Sequence, residues 1–85
     1  MPLFYLHVCN GIGFVEDEDG SDYLDANAAR EAASAGLRDI MASELRDGSI
    51  NLSSFIEIED ENHTLVTTVA FTDAVKVSGE ARPRP

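Results

Sequence analysis

Residues 26–46 read Ala-Asn-Ala-Ala-Arg-Glu-Ala-Ala-Ser-Ala-Gly-Leu-Arg-Asp-Ile-Met-Ala-Ser-Glu-Leu-Arg, the one stretch long enough for a substantial helix. Ala29, Ala33, Leu37, Ile40, Met41 and Leu45 fall at i, i+4, i+8, i+11, i+12 and i+16, a single apolar stripe at helical period. Asp25 stands where an N-cap belongs, ready to accept from the first free backbone N–H groups. Leu24 precedes it and is placed to staple onto Ala29. Asp47-Gly48 ends the helix, glycine supplying the left-handed C-terminal turn.

The flanking segments read as short strands. Residues 3–9 form an apolar, aromatic-flavoured run that meets Asn10-Gly11, the strongest hairpin signal in the chain. A type I′ turn at Asn10-Gly11 sets Cys9 against Ile12, His7 against Phe14 and Tyr5 against Glu16 on one face. On the other it sets Val8 against Gly13 and Leu6 against Val15. Both faces of the hairpin are then apolar, and one helix covers only one of them. Residues 16–22, Glu-Asp-Glu-Asp-Gly-Ser-Asp, make an acidic loop leading to the helix.

Beyond the linker 49–53, Phe55-Ile56-Glu57-Ile58-Glu59 alternates apolar and acidic, the mark of a half-buried strand. Residues 60–63 turn, with Asn62 the candidate for positive φ. Residues 64–71 are a further strand, with Leu65, Thr67, Val69 and Phe71 on one face and Val66, Thr68 and Ala70 on the other. Residues 72–75 read as another turn. The predicted architecture is α+β, in the order ββαββ: a mainly antiparallel four-stranded sheet with one helix packed on one face. Residues 1–75 form a single domain, and residues 76–85 read as a disordered, proline-ended tail.

Charge sorts the possible functions. Sixteen acids against six bases give −10. Residues 1–75 hold fifteen of those acids and only Arg30, Arg38 and Arg46, a net of −12, whereas the last ten residues carry +2. Such a field repels nucleic acid and anionic membranes and favours basic partners. A lone cysteine, Cys9, excludes an intrachain disulfide framework and fits a reducing, cytoplasmic setting.

The chemical motifs resolve into structural ones. An EF-hand loop starting at Asp17 has Asp22 where glycine is needed and Ala28 where the bidentate glutamate is needed. His7 and Cys9 share a strand face and, with His63, number three zinc-type ligands, but a fourth ligand and paired cysteines are absent. A Cys9 nucleophile with His7 as base fails because same-strand neighbours point in parallel. Gly11-Ile12-Gly13 lacks the third glycine and the helix of a dinucleotide site. No cofactor, metal or catalytic residue is expected. On the back of the helix, Ala28, Ala32, Ala35 and Ala42 group together and read as helix propensity.

Met1-Pro2, Phe4-Tyr5-Leu6-His7-Val8, Gly11, the Glu16-Asp17-Glu18-Asp19-Gly20 loop, Asp25, Ala28-Ala29, Ala32 and Ile56-Glu57-Ile58-Glu59-Asp60-Glu61 followed by Leu65 and Phe71 form a distinctive set. In these the chain resembles a family of small bacterial proteins of uncharacterised function, over about residues 1–75. The resemblance implies the fold and leaves the activity open. It also implies a glycine in the second turn, where this chain has His63. A looser similarity is to antitoxin-type partial double-stranded-RNA-binding folds, from which the fourth strand and the missing DNA-binding extension depart.

Two functions follow as expectations. The first is a non-enzymatic protein-interaction or regulatory module, a homodimer or the binder of another protein, using the uncovered sheet face around Tyr5, His7, Ile12 and Phe14. The second is an antitoxin-like or nucleic-acid-mimicking regulator that presents Asp17, Asp19 and Asp22 to a basic groove. Direct binding of nucleic acid or membrane is not expected.

Overall fold

The first strand, β1 (Leu3–Asn10), lies inside the sheet and organises it. The computed structural model describes residues 1–10 and 13–79; Ile12 and residues 80–85 of the expected tail lie outside the described residues. β2 (Gly13–Val15) and the short β3 (Ser21–Asp22) both pair with β1 along one side, and β4 (Phe55–Asp60) pairs with it along the other. β5 (Leu65–Ala70) completes the order β2-β1-β4-β5, every pairing antiparallel. The helix α1 (Ala26–Arg46) packs on one face, and a single helical turn, α2 (Phe71–Ala74), follows β5. The α+β class with one main helix on an antiparallel sheet is as the sequence reads, with β3 as an additional strand.

The covered face carries Phe4, Ile56, Ile58 and Val69, all buried, with Leu6 and Val8 packed against them. From the helix come Ala29, Ala33, Leu37 and Met41, again all buried. Ala29 and Ala33 leave no accessible surface, so their small side chains let the N-terminal half of α1 lie close on the sheet. The apolar stripe ends earlier than its period implies. Ile40 is half-buried and Leu45 is 60% exposed.

Both ends of α1 are capped as the sequence indicates. The Asp25 carboxylate accepts from the Ala28 N–H at 2.8 Å. At the other end Gly48 (φ 92°) donates to the Leu45 carbonyl and Ser49 to the Glu44 carbonyl, the Schellman pattern. Leu24, however, is exposed and staples nothing. Its neighbour Tyr23 packs on the core instead, its ring 6.2 Å from that of Phe4.

Four local expectations are corrected. The first hairpin pairs Val8 with Val15, Cys9 with Phe14 and Asn10 with Gly13, a shift of two residues that preserves the face assignments of the described residues. At the second turn it is His63, not Asn62, that takes positive φ (62°). There His63 N–H donates to the Asp60 carbonyl and Asp60 N–H to the Thr64 carbonyl, closing a three-residue loop that needs a left-handed residue at its end. A bulge between Ile58 and Glu59 then brings Leu65 opposite Glu59, on the face away from α1 rather than beside Val69. Phe71 belongs to α2, not to the strand. Among the described residues no helix is long and apolar enough to cross a membrane.

The core assignment separates two leucines of the same helical stripe. Leu37→Ala is expected to lower unfolding stability by about 2–5 kcal/mol, and Leu45→Ala by less than about 0.5 kcal/mol. Chemical denaturation of the two variants measures the difference, and equal losses would contradict the packing described.

Candidate functional site

The face of the sheet turned away from α1 is set by the alternation of β1 and β4. Tyr5, His7 and Cys9 stand opposite Glu59, Glu57 and Phe55, and Phe14 from β2 stands opposite Cys9. Aromatic rings form a row across it. The Phe14 ring lies 5.5 Å from His7, Tyr5 lies 6.2 Å from His7 in a stacked arrangement, and His63 stacks on Tyr5 at 4.4 Å. Tyr5, His7 and Phe14 are therefore brought together as the sequence indicates, and Ile12 lies outside the described residues.

His7 is the anchor of this face and is only 4% exposed. Its Nδ1 accepts from the Asp17 N–H at 3.0 Å, which leaves the proton of the neutral ring on Nε2. Nε2 then donates to Glu59 Oε1 at 2.8 Å. The same oxygen meets His63 Nδ1 at 3.2 Å, so one carboxylate joins the two imidazoles. The His7 hydrogen bond, with that of His63 second, holds the Glu59 carboxyl below its ordinary range against an opposing effect of desolvation.

Asp17 plays a part different from the one its acidic neighbourhood indicates. Its carboxylate accepts from the Leu6 N–H and from the Gly20 N–H, each at 3.0 Å. Between the segments of β1 that pair with β2 and β3, the Asp17 side chain and main chain thus replace the missing strand. Gly20 (φ 70°) completes this loop against β1. A Cβ there would lie 3.0 Å from the Phe4 carbonyl oxygen and 3.1 Å from the Tyr5 ring, as well as forcing a side chain into left-handed backbone. Asp19 and Asp22 are exposed and point to solvent-side chemistry only.

Two groups complete the face. Glu57, half-buried between His7 and Thr68, makes no hydrogen bond or ion pair among the described residues. Cys9 is half-buried, and burial first and the Glu57 carboxylate second push its thiol up, the direction opposite to activation of a nucleophile. Among the described residues no group of three or more His, Cys, Asp and Glu side chains is placed to hold a metal ion. Sequence reasoning missed Glu59 as the bridge and Asp17 as the loop's acceptor. The Asp-x-x-Gly spacing of Asp17 and Gly20 was the available signal for the second.

Two measurements probe this arrangement. Asp17→Ala strands two main-chain donors and is expected to cost about 1–3 kcal/mol, whereas Asp19→Ala, at an exposed position without such contacts, should change stability by less than about 0.5 kcal/mol. Equal effects would remove Asp17 from its structural role. For Glu59 the folded pKa is depressed, so its contribution is complete above the ordinary glutamate range and is lost as pH falls through the lower folded value. The side chain is 26% exposed, and solvent screening keeps that contribution modest. Glu59→Gln should flatten the acid limb of a stability–pH curve, and an unchanged limb would dismiss the bridge as a stabilising contact.

Comparison with known proteins bears on the whole of this architecture. No match was found among curated proteins or among solved structures. A family profile described as "Domain of unknown function (DUF6894)" matches residues 3–72, from β1 through the start of α2, and so takes in both hairpins, the Asp17 loop and α1. The chain belongs to this family, a domain of unknown function.

Proposed function

We propose that the protein is a non-enzymatic interaction module that binds a basic protein segment on the sheet face opposite α1, working in the cytoplasm, where a lone thiol stays reduced. The observation that carries this reading is Glu57, an unpaired carboxylate in the middle of a face framed by Tyr5, Phe14 and Leu65. Phe14 and Leu65 are 55% and 54% exposed, so the face offers apolar contact on both sides of that charge. An arginine or lysine stem laid across the face would bring its cation to Glu57 and gain a cation–π contact with the exposed Phe14 ring. The −12 of residues 1–75 would speed the approach of such a partner.

His63 adds independent support. A non-glycine residue in left-handed backbone costs free energy that glycine would not. What the imidazole supplies in exchange is its stack on Tyr5 and its contact with Glu59, both on this face. The alternative, a nucleic-acid mimic acting through the acidic loop, is favoured by exposed Asp19 and Asp22, with Asp17 now serving inside the fold.

Titration with a fluorescent arginine-rich peptide separates the two. Glu57→Gln or Phe14→Lys should weaken binding about tenfold or more, with the far-UV spectrum of α1 retained, while Asp19→Asn with Asp22→Asn should change it far less. Unaltered binding in the face variants would overturn the proposal, and a selective loss in the loop variants would install the mimic in its place.

A further inference from the structure

His7 is the only buried ionisable side chain among the described residues, and its two ring nitrogens are committed to different elements. Nδ1 holds the Asp17 N–H of the loop at residues 16–20, and Nε2–H holds Glu59 of β4. A neutral imidazole has one in-plane lone pair, which here is on Nδ1, so a second proton can go nowhere else. That proton and the Asp17 N–H compete for one site. Once the ring is protonated both nitrogens are donors, and Nδ1–H meets the Asp17 N–H across 3.0 Å.

Either the ring or the loop must then give way, and the two are held very differently. The ring is 4% exposed, flanked by Tyr5 at 6.2 Å and Phe14 at 5.5 Å, and tied to β4. The ionisable groups that face it are Glu59 on Nε2, Glu57 directly across the β1–β4 ladder and Asp17 from the loop. Tyr5 and Cys9 are its neighbours on β1, and His63 reaches it through Glu59; Phe14 from β2 is uncharged. The three arginines of residues 1–75 all belong to α1, on the other face. Such surroundings keep an imidazolium in place, and charge strengthens its bond to Glu59. The loop has no comparable anchor. None of residues 16–20 is buried, and among the described residues its hydrogen bonds to β1 run through Asp17, to His7 and to the Leu6 N–H. The strands beside it are three and two residues long and fully exposed. A segment with so few buried contacts opens locally at little cost.

We propose that His7 and Asp17 form a proton-controlled latch: a second proton, taken from solvent onto His7 Nδ1, releases the 16–20 loop from β1 while α1 and the β1–β4–β5 sheet stay folded. The new Nδ1–H needs an acceptor. The Asp17 carboxylate can serve only by leaving the Leu6 and Gly20 N–H groups that it now holds at 3.0 Å each. Otherwise the Asp17 main chain withdraws and its N–H turns to water. By either route the Leu6 N–H loses its partner, and Gly20 is no longer held against the Phe4 carbonyl and the Tyr5 ring. Glu59 keeps Nε2–H throughout. The latch does not depend on what the sheet face binds.

The test is a pH titration of the whole chain followed by nuclear magnetic resonance, reading the ring nitrogens of His7 together with amide hydrogen exchange, normalised to the intrinsic rate at each pH. At neutral pH His7 should be the Nε2–H tautomer, with the Leu6 and Asp17 amides protected. As the ring takes its second proton, the Leu6, Asp17 and Gly20 amides should lose protection with the same midpoint, while those of α1 and Ile58 keep theirs. Glu59→Gln preserves an acceptor for Nε2–H and removes the charge that favours the imidazolium, so the midpoint should fall by about half a pH unit or more. His63→Gly, which suits the left-handed backbone there, should keep the transition. An Nδ1–H tautomer at neutral pH would overturn the proposal, as would a Leu6 amide still protected when both His7 nitrogens carry protons. So would loss of α1 protection together with the loop, which is acid unfolding of the whole domain. A midpoint unmoved in Glu59→Gln, or a transition abolished in His63→Gly, would assign the titration to another group and likewise remove the latch.

Discussion

One helix can shield only one face of a sheet, and that constraint governs most of what is distinctive in this chain. β1 and β4 carry apolar or aromatic residues on both faces, yet α1 meets only Phe4, Leu6, Val8, Ile56 and Ile58. The other face is closed by its own side chains. His7 is buried there without a covering layer because Asp17 and Glu59 satisfy both ring nitrogens and because Tyr5 and Phe14 flank the ring. A buried imidazole with one nitrogen unpartnered would cost roughly what a lost hydrogen bond to a desolvated group costs, about 1–3 kcal/mol. The polar network is thus what makes an uncovered aromatic face compatible with a stable fold.

The same economy explains the acidic loop. Between β2 and β3 the chain leaves β1, and the main-chain groups of β1 there would face water or nothing. Asp17 bends back and supplies an acceptor to Leu6 and a donor to His7, while Gly20 lets the loop lie against the Phe4 carbonyl and the Tyr5 ring. A residue in a run of four acids is therefore a piece of the sheet's hydrogen bonding. The loop and the aromatic face form one unit through His7, whose two ring nitrogens link β1 to the loop on one side and to β4 on the other.

The helix, its two caps, the two hairpins and the grouping of Tyr5, His7 and Phe14 were legible because each rests on local chemistry: period, turn residues and alternation. Alternation survives a register shift of two, which is why the face assignments of the described residues held when the pairing of the first hairpin moved on by two residues. It does not survive a bulge. Leu65 changed sides because one extra residue entered the β5 ladder near Ile58 and Glu59, and no side chain announces such an insertion. Leu45 fits the helical period and is still exposed, since period says which residues share a helix face and not whether anything packs on them. The Glu59 bridge was hidden for a further reason: it joins residues 52 positions apart, and its second contact depends on His63 adopting a conformation usually left to glycine or asparagine.

Charge separates the two surfaces that remain open. On the sheet face the group without a hydrogen bond or ion pair among the described residues is a carboxylate, Glu57, close to the rings, in a molecule already strongly negative; on the β5 flank Arg30 stands over the uncharged Thr67, Thr68 and Val69, with Asp73 in the same groove. A surface that recognises a basic chain gains from the overall field, and salt weakens it. The three arginines among residues 1–75 differ by position: Arg46 closes the helix C-terminus, where a cation suits the dipole, Arg30 lines a groove with Thr67, Thr68, Val69 and Asp73, and Arg38 donates to the Ala74 carbonyl.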